Sequence, residues 1–366
     1  MDTKPREIRI AGGGIAGLTS AILLARAGHP VHVFEKRSEI GSRFKGDLQG
    51  LENWSKSGDV LEEIKSMGLE IPLINHPLPP LKIIDGHRLD LDFTFQRPLC
   101  YLVKRGTDDD SLDQTLKRAA LAEGVQIHLK QRLSEEAADI VATGPRSKQI
   151  FAVDLGIKFK TSHPDTAIAL VNDDAAYKGY AYLLVVDGYG CLCTVLFDRF
   201  NTLQKSFEKA KEILLKKVKL DILNPQQVGG VGGFDHGLKF ATGNQLFIGE
   251  AAGIQDFLFG FGIRSAIRSG YLAAKSILQN VEYEVSAYQE FYFARKAGIV
   301  CRYLYEKASH FKRGYPMLSK LVWDRSDPHW FLSRAYRFTP IHQALFPLAR
   351  YAMSKRYPNI MNSSLK

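Results

Sequence analysis

The sequence predicts an α/β fold. It combines a Rossmann-like domain with a βαβ start and a mostly parallel sheet, an inserted antiparallel β-sheet domain, and a C-terminal helical region. Three observations carry this. A strand, a glycine-patterned turn and a helix open the chain. Strand-like runs with turn signals fill residues 76–100 and 151–235, and the pattern turns helical from about residue 283. With 366 residues, 45% hydrophobic and 24% charged, the chain has ordinary globular composition and enough length for a sizeable core.

The opening segment reads EIRIAGGGIAGLTSAILLARAGHPVHVFEKR. Ile8–Ala11 is a short strand that runs into Gly12-x-Gly14-x-x-Gly17. The helical pattern Leu18, Ile22, Leu23, Ala25 follows, Gly28-His29-Pro30 stops it, and a second strand, Val31–Phe34, leads to Glu35 and Lys36. Strand, glycine turn, helix and a following acid form a dinucleotide fingerprint. Gly12 serves the tight turn, Gly14 the close approach of backbone to a pyrophosphate, and Gly17 the packing of helix on strand. Ile15 and Ala16 begin the helix whose unpaired N–H groups and dipole favour an anion. Glu35 suits a ribose diol, and its charge would repel a 2′-phosphate. This turn alone does not separate a nicotinamide from a flavin dinucleotide. Arg43, in GSRFKGD, is either within reach of a cofactor phosphate or a surface arginine.

Further along, LKIID-GHRLDLDF pivots on Asp85-Gly86, and YAYLLVV-DGYG-CLCTVLF reads as a hairpin followed by the helix SFEKAKEILLKKV. Tyr180–Phe197 is the best candidate for a membrane span, but the Asp-Gly at its centre favours the hairpin. The expected organisation is a discontinuous nucleotide domain (1–75, 101–150 and 236–282), a substrate-binding sheet domain (76–100 and 151–235), and a helical region at 283–366. The inserted sheet would stand over the cofactor as a substrate wall. Tyr180, Tyr182, Leu184 and Phe197 either line an apolar pocket there or fill the core.

A second glycine-rich stretch, GEAAGIQDFLFGFG at 249–262, follows the apolar strand Gln245–Ile248 and precedes the helical run IRSAIRSGYLAAKSIL. Together with the first motif it resembles the FAD-dependent oxidoreductase superfamily of p-hydroxybenzoate hydroxylase and the geranylgeranyl reductases. That superfamily has a G-D-A-A-G, six residues, G-x-G-I element here. The resemblance implies that Glu250 contacts the flavin ribityl chain and that Gly249 and Gly260 belong to the cofactor-binding motif. It also places the Gly262–Ile263 amides near the flavin pyrimidine edge, where a helix N-terminus would stabilise a reduced flavin. Tyr101–Arg105, followed by the helical run Asp113–Glu123, resembles the segment whose arginine, here Arg105, binds the cofactor. Lys178–Leu184 resembles the G-Y-A-W-x-F strand of the reductases' substrate sheet. The likeness covers most of residues 1–280 and implies FAD, with NADPH, NADH or ferredoxin as electron donor.

Several positions depart from that pattern. Glu250 stands where Asp is usual, Thr143 replaces the aspartate of A-D-G, Asp256-Phe257 replaces Asn-Pro, and Phe261 stands where the reductases often carry Glu. No cysteine occurs near Phe44–Gly46, and only Leu133–Ala138 separates two strands where the family has a longer meander. The chain therefore reads as a divergent member.

Net charge is +10, and Phe291–Lys366 holds fourteen Lys or Arg against three Asp or Glu. Its alternating basic and aromatic residues suit peripheral contact with a lipid surface, or helices packed on the domain with a basic outer face. Nucleic-acid binding lacks a recognition module. Cys100, Cys191, Cys193 and Cys301 show no metal or disulfide spacing, though Cys191 and Cys193 would share a strand face. With no apolar leader at the N-terminus, a cytoplasmic protein is expected, membrane-associated if the basic helices meet lipid. No metal site and no catalytic acid is identified, and His236 is the histidine nearest the second flavin motif. The expected activity is FAD-dependent double-bond reduction in an isoprenoid or lipid. The alternatives are an aromatic monooxygenase (hydroxylase) and a non-catalytic flavin- or lipid-binding protein.

Overall fold

The computed structural model describes residues 5–87, 90–145, 150–233, 237–308 and 328–361. His236 lies outside the described residues. β1 (Ile8–Ala11), α1 (Ile15–Arg26) and β2 (Val31–Glu35) form the expected βαβ start. β3 (Leu48–Glu52) and α2 (Val60–Ser66) precede the short strands β4 (His76–Pro77), β5 (Leu81–Ile84), β6 (Asp90–Phe93) and β7 (Cys100–Lys104). Next come α3 (Leu112–Ala122), β8 (Gln126–Leu129) and β9 (Ile140–Val141). β10 (Ile150–Lys160), β11 (Thr166–Leu170), β12 (Tyr180–Val186), β13 (Tyr189–Leu196), α4 (Leu203–Lys217) and β14 (Leu223–Gly233) follow. β15 (Ala241–Thr242), β16 (Gln245–Phe247) and α5 (Ile263–Gln279) lead to the last helices. These are α6 (Tyr283–Ala308), α7 (Pro328–Ala335), α8 (Pro340–Arg356) and α9 (Pro358–Met361).

The first sheet has the order β15-β16-β9-β1-β2-β8, parallel except for the β15–β16 pair. Its central strands are apolar because both faces are covered: Ile8, Ile10 and Val33 are fully buried. α1 and α5 cross very closely. A Cβ on Gly270 would sit 2.5 Å from the Ala16 carbonyl oxygen, and Ser20 Oγ donates to the Gly270 carbonyl at 2.9 Å.

The second sheet has the order β14-β10-β13-β12-β11-β5-β6 and is antiparallel except between β11 and β5. Its hairpin turns at Asp187-Gly188, both at positive φ (49° and 71°), the type I′ geometry that matches strand twist. One face packs on α4, where Leu183, Leu192 and Leu196 meet Phe207, Ala210 and Leu214. The period of two leaves Tyr180, Tyr182 and Leu184 on the other face. A third sheet, β3-β7-β4, was not expected. It pairs the unpredicted strand Leu48–Glu52 with β7, so residues 76–100 divide between two sheets.

The C-terminal helices are fastened to the second sheet by buried charge. Arg302 is fully buried. Its Nε donates to Glu306 at 2.9 Å, Nη1 to the Leu258 carbonyl at 3.1 Å and Nη2 to the Lys178 carbonyl at 2.6 Å. Glu306 also receives Tyr357 Oη (2.7 Å) and pairs with Arg356 (3.0 Å). Part of the basic surplus near the C-terminus thus works inside the protein, although Arg350 and Lys355 face solvent. Glu306→Gln would leave two guanidiniums around an uncharged partner. It should cost about 3 kcal/mol, the scale for breaking a buried pair. The expected result is a melting temperature several degrees lower, and an unchanged one would contradict the lock.

Candidate cofactor and substrate cavity

One cavity of about 1410 Å³ runs from the β1–α1 turn to the inner face of the second sheet. At the nucleotide end it is lined by Gly12, Gly14, Ile15, Ala16, Glu35, Lys36 and Arg43. Gly17 does not line it: a Cβ there would sit 2.1 Å from the Gly12 carbonyl, which is the packing role expected of the third glycine. Gly12 holds φ +109°, and a Cβ would reach 2.3 Å from the Ala142 carbonyl. Glu35 Oε2 accepts from the Gly13 N–H (3.0 Å) and Oε1 from the Arg37 N–H (2.9 Å), which fixes the carboxylate beside the turn.

At the second motif the strand–turn–helix reading holds. Gly249–Ala252 is a 3-10 turn, and α5 starts after Gly262. The Gly249 N–H donates to Ser269 Oγ at 2.9 Å, tying the turn to α5. Gly249, Glu250, Gly260, Gly262 and Ile263 all line the cavity. Added Cβ atoms at Gly14, Gly260 or Gly262 would meet no protein atom within 4 Å, so the fold leaves open space there. Neither Gly14 nor Gly262 caps its helix with a side chain. Two helix N-termini with unspent N–H groups therefore border one cavity.

Side chains reach the cavity from distant parts of the chain. Arg43 Nη1 donates to Glu250 Oε2 at 2.7 Å and Nη2 to the Val231 carbonyl at 3.1 Å, joining the nucleotide domain to β14. The Gln255 amide, turned so that its nitrogen donates, reaches Glu250 Oε1 at 2.6 Å and the Gly233 carbonyl at 2.9 Å. The longer Glu250 side chain is thus held at both oxygens. Arg105 also lines the cavity, but its donors go to Asp113 (2.8 and 3.0 Å) and Gln49 (3.0 Å), and it stacks over Phe44 at 4.1 Å. In this structure it positions the loop around Phe44.

Asp256 has a role that motif matching could not assign. It accepts the N–H groups of Leu258 (2.9 Å), Phe259 (3.0 Å) and Phe261 (3.1 Å), and Tyr336 Oη from α7–α8 at 2.9 Å. Burial raises its pKa, against these hydrogen bonds. It shapes the loop that delivers Gly260 and Gly262.

At the far end Tyr180, Tyr182 and Leu184 line the cavity, whereas Phe197 borders it from the core, fully buried with Phe151 and Phe257. Tyr180 Oη donates to the Phe259 carbonyl at 2.6 Å. Trp54 lies at this wall, and its buried indole N–H has no acceptor among the described residues. Cys191 and Cys193 do share a face, with sulfurs 3.4 Å apart and buried. Cys301 borders the cavity near His342 (3.3 Å), and burial pushes its thiol up to about 12, so it is protonated. Asp47 and Asp154, both missed from sequence, also face the cavity. Burial, and then the Asp47 charge, push Asp154 up to about 6. Its signal in the sequence was partial: a lone acid in a strand with alternating pattern, whose facing the sequence does not give. Among the described residues no His/Cys/Asp/Glu group is arranged to hold a metal, and no helix is long and apolar enough to cross a membrane.

Residues 10–47 match the family model of an NAD(P)-binding Rossmann-like domain. An L-amino-acid oxidase of Echis ocellatus is 33% identical over 79 residues, covering 19% of this chain and 16% of that one. The chain matches 8 to 17% of the length of its curated relatives. Similarity in structure is far wider. A geranylgeranyl bacteriochlorophyll reductase-like protein of Thermoplasma acidophilum superposes with a TM-score of 0.64 at 18% identity, covering 98% of each chain. A flavin-dependent brominase superposes with a TM-score of 0.62 at 15% identity, covering 96% of this chain and 98% of that one. A dinucleotide module at residues 10–47 is thus set in a fold shared with a reductase-like protein and a flavin-dependent brominase.

Proposed function

We propose that this protein binds FAD in the long cavity and reduces a double bond of an apolar, isoprenoid- or lipid-like substrate. The observation that carries the reading is the pair of uncapped helix N-termini, at Gly14 and Gly262, opening on one cavity with an aromatic and aliphatic far wall. The amides of Gly14, Ile15 and Ala16 would hold the pyrophosphate, with Lys36 and Arg43 adding positive charge. Glu35 would take the adenosine ribose and Glu250 the ribityl chain. The amides at Gly262–Ile263 would face the flavin pyrimidine edge. Glu250 reaches such a ligand only by sharing or releasing Arg43 and Gln255, so that ion pair is a latch that cofactor binding rearranges.

FAD supplies hydride transfer when bound. The protein's own residues orient and exclude. Asp256 fixes the Phe259–Gly262 loop, while Tyr180, Tyr182 and Leu184 offer a dry surface to the substrate. The electron donor is NADPH, NADH or a ferredoxin.

Glu35→Ala should weaken FAD binding about tenfold or more, the scale of one charged hydrogen bond, read by flavin fluorescence quenching. An unchanged affinity would contradict the ribose assignment. Reaction class is tested anaerobically. Protein reduced by dithionite should be reoxidised by an isoprenoid alkene acceptor, giving a product two hydrogens heavier. If reduction by NADPH instead accelerates with an aromatic acceptor and oxygen is then consumed, the protein is a hydroxylase.

A further inference from the structure

Asp154 is the one carboxylate on a stretch of cavity wall otherwise built from apolar and aromatic side chains. On β10 it follows Ile150 and Ala152 on the face that lines the cavity. Val195 of β13 stands beside it in register, and Tyr180 and Tyr182 follow on β12. On its other side β14 runs Gly229-Gly-Val-Gly-Gly233, a tract the nucleotide site does not account for. A Cβ on Gly230 would sit 3.3 Å from Asp154 Oδ1, so glycine leaves the carboxyl room, and the Gly230 N–H hydrogen-bonds it.

The charged neighbours are few. Asp47 raises the cost of ionising Asp154, and Arg43, held on β14 at the Val231 carbonyl and engaged with Glu250, lowers it. On the adjoining strands β12 and β13 stand Tyr180, Tyr182, Tyr189 and the Cys191–Cys193 pair; burial keeps the tyrosines protonated, and the hydrogen bond with Cys191 together with burial does so for Cys193. Lys158, on the same strand, turns to Asp108 at 3.6 Å. A carboxyl so placed holds its proton up to about pH 6. Loss of cavity water to an apolar ligand would raise that further.

We propose that Asp154 is the proton donor to the substrate in this cavity, and that the substrate is an apolar chain whose double bond is conjugated to a carbonyl. The proposal rests on the flavin-reductase reading above. The hydride, two electrons with one proton, comes from reduced flavin and forms a C–H bond at the β carbon as the C=C π bond opens. The electron pair moves toward the carbonyl. The α carbon then takes the Asp154 proton as the O–H bond breaks, leaving a carboxylate that regains its proton from water. Conjugation is required because a carboxylic acid protonates an enolate readily and an isolated alkene poorly.

The test compares FAD-loaded wild-type and Asp154→Asn proteins, with farnesal as the conjugated probe and farnesol, whose double bonds are isolated, as the unconjugated control. Infrared difference spectra should show a carboxyl band that titrates near pH 6 and is absent from the variant. Between pH 4 and 6 the native state binds this proton and the unfolded chain does not, so wild-type stability from this group falls as pH rises. The variant should therefore melt higher than wild type at pH 7.5, with the difference vanishing near pH 4. Anaerobic reoxidation by farnesal should fall as pH rises through 6 in wild type. In the variant it should be at least a hundredfold slower and without that limb, with FAD content unchanged. A carboxyl titrating near 4, or a variant that reoxidises at the wild-type rate, overturns the proposal. So does a wild-type protein that holds FAD and the pH 6 band yet passes no hydride to farnesal. Protein without FAD but with the pH 6 band sinks the flavin reading, and the donor role with it.

Discussion

The crossing of α1 and α5 is the constraint on which the rest of the site depends. Gly270 leaves no room for a side chain against the Ala16 carbonyl, and a Cβ on Gly249 would come within 3.1 Å of Ala16 Cβ. With the helices in contact there, their N-termini open onto one cavity. Each end keeps its N–H groups unspent, a state that costs free energy unless water or a ligand satisfies them. The glycines at 14 and 262 are required by no neighbouring protein atom, and their meaning lies in what approaches the backbone, whereas Gly260 is also required by its φ of +86°.

Around this pair the chain uses long-range polar contacts to set the walls. Arg43 joins residues more than two hundred positions apart, from Glu250 to its own loop, and reaches β14 as well. Asp256 organises the Leu258–Phe261 loop and takes Tyr336 from the C-terminal helices. Arg302 and Glu306 anchor those helices to the sheet beneath the cavity. The helical region is therefore part of the cavity's frame, since Cys301, Leu304, Tyr305 and Phe331 all border it.

The glycine motifs were legible in sequence because their demands are local: a positive φ at Gly12, a close contact at Gly17, a bare helix start at Gly262. The inward face of the second sheet was legible in part. A period of two puts Tyr180, Tyr182 and Leu184 together, but only the position of α4 says which face is dry core. Asp154 escaped for that reason, as one acid in an alternating run. Arg105 was found by its motif, yet its donors are committed to Asp113 and Gln49, partners whose proximity depends on tertiary packing. The short strand Leu48–Glu52 carries no strong periodicity and exists because β7 pairs with it. Net charge marked the C-terminal region as basic, whereas composition cannot distinguish an exposed arginine from Arg302, which is fully buried.

The central claim is that both glycine motifs serve one FAD. The most direct measurement is the visible spectrum of the purified protein, with the cofactor released by denaturation and identified. A yellow protein that yields one FAD per chain, or takes up one when FAD is added, is the expected result. A colourless protein that refuses added FAD would contradict the claim.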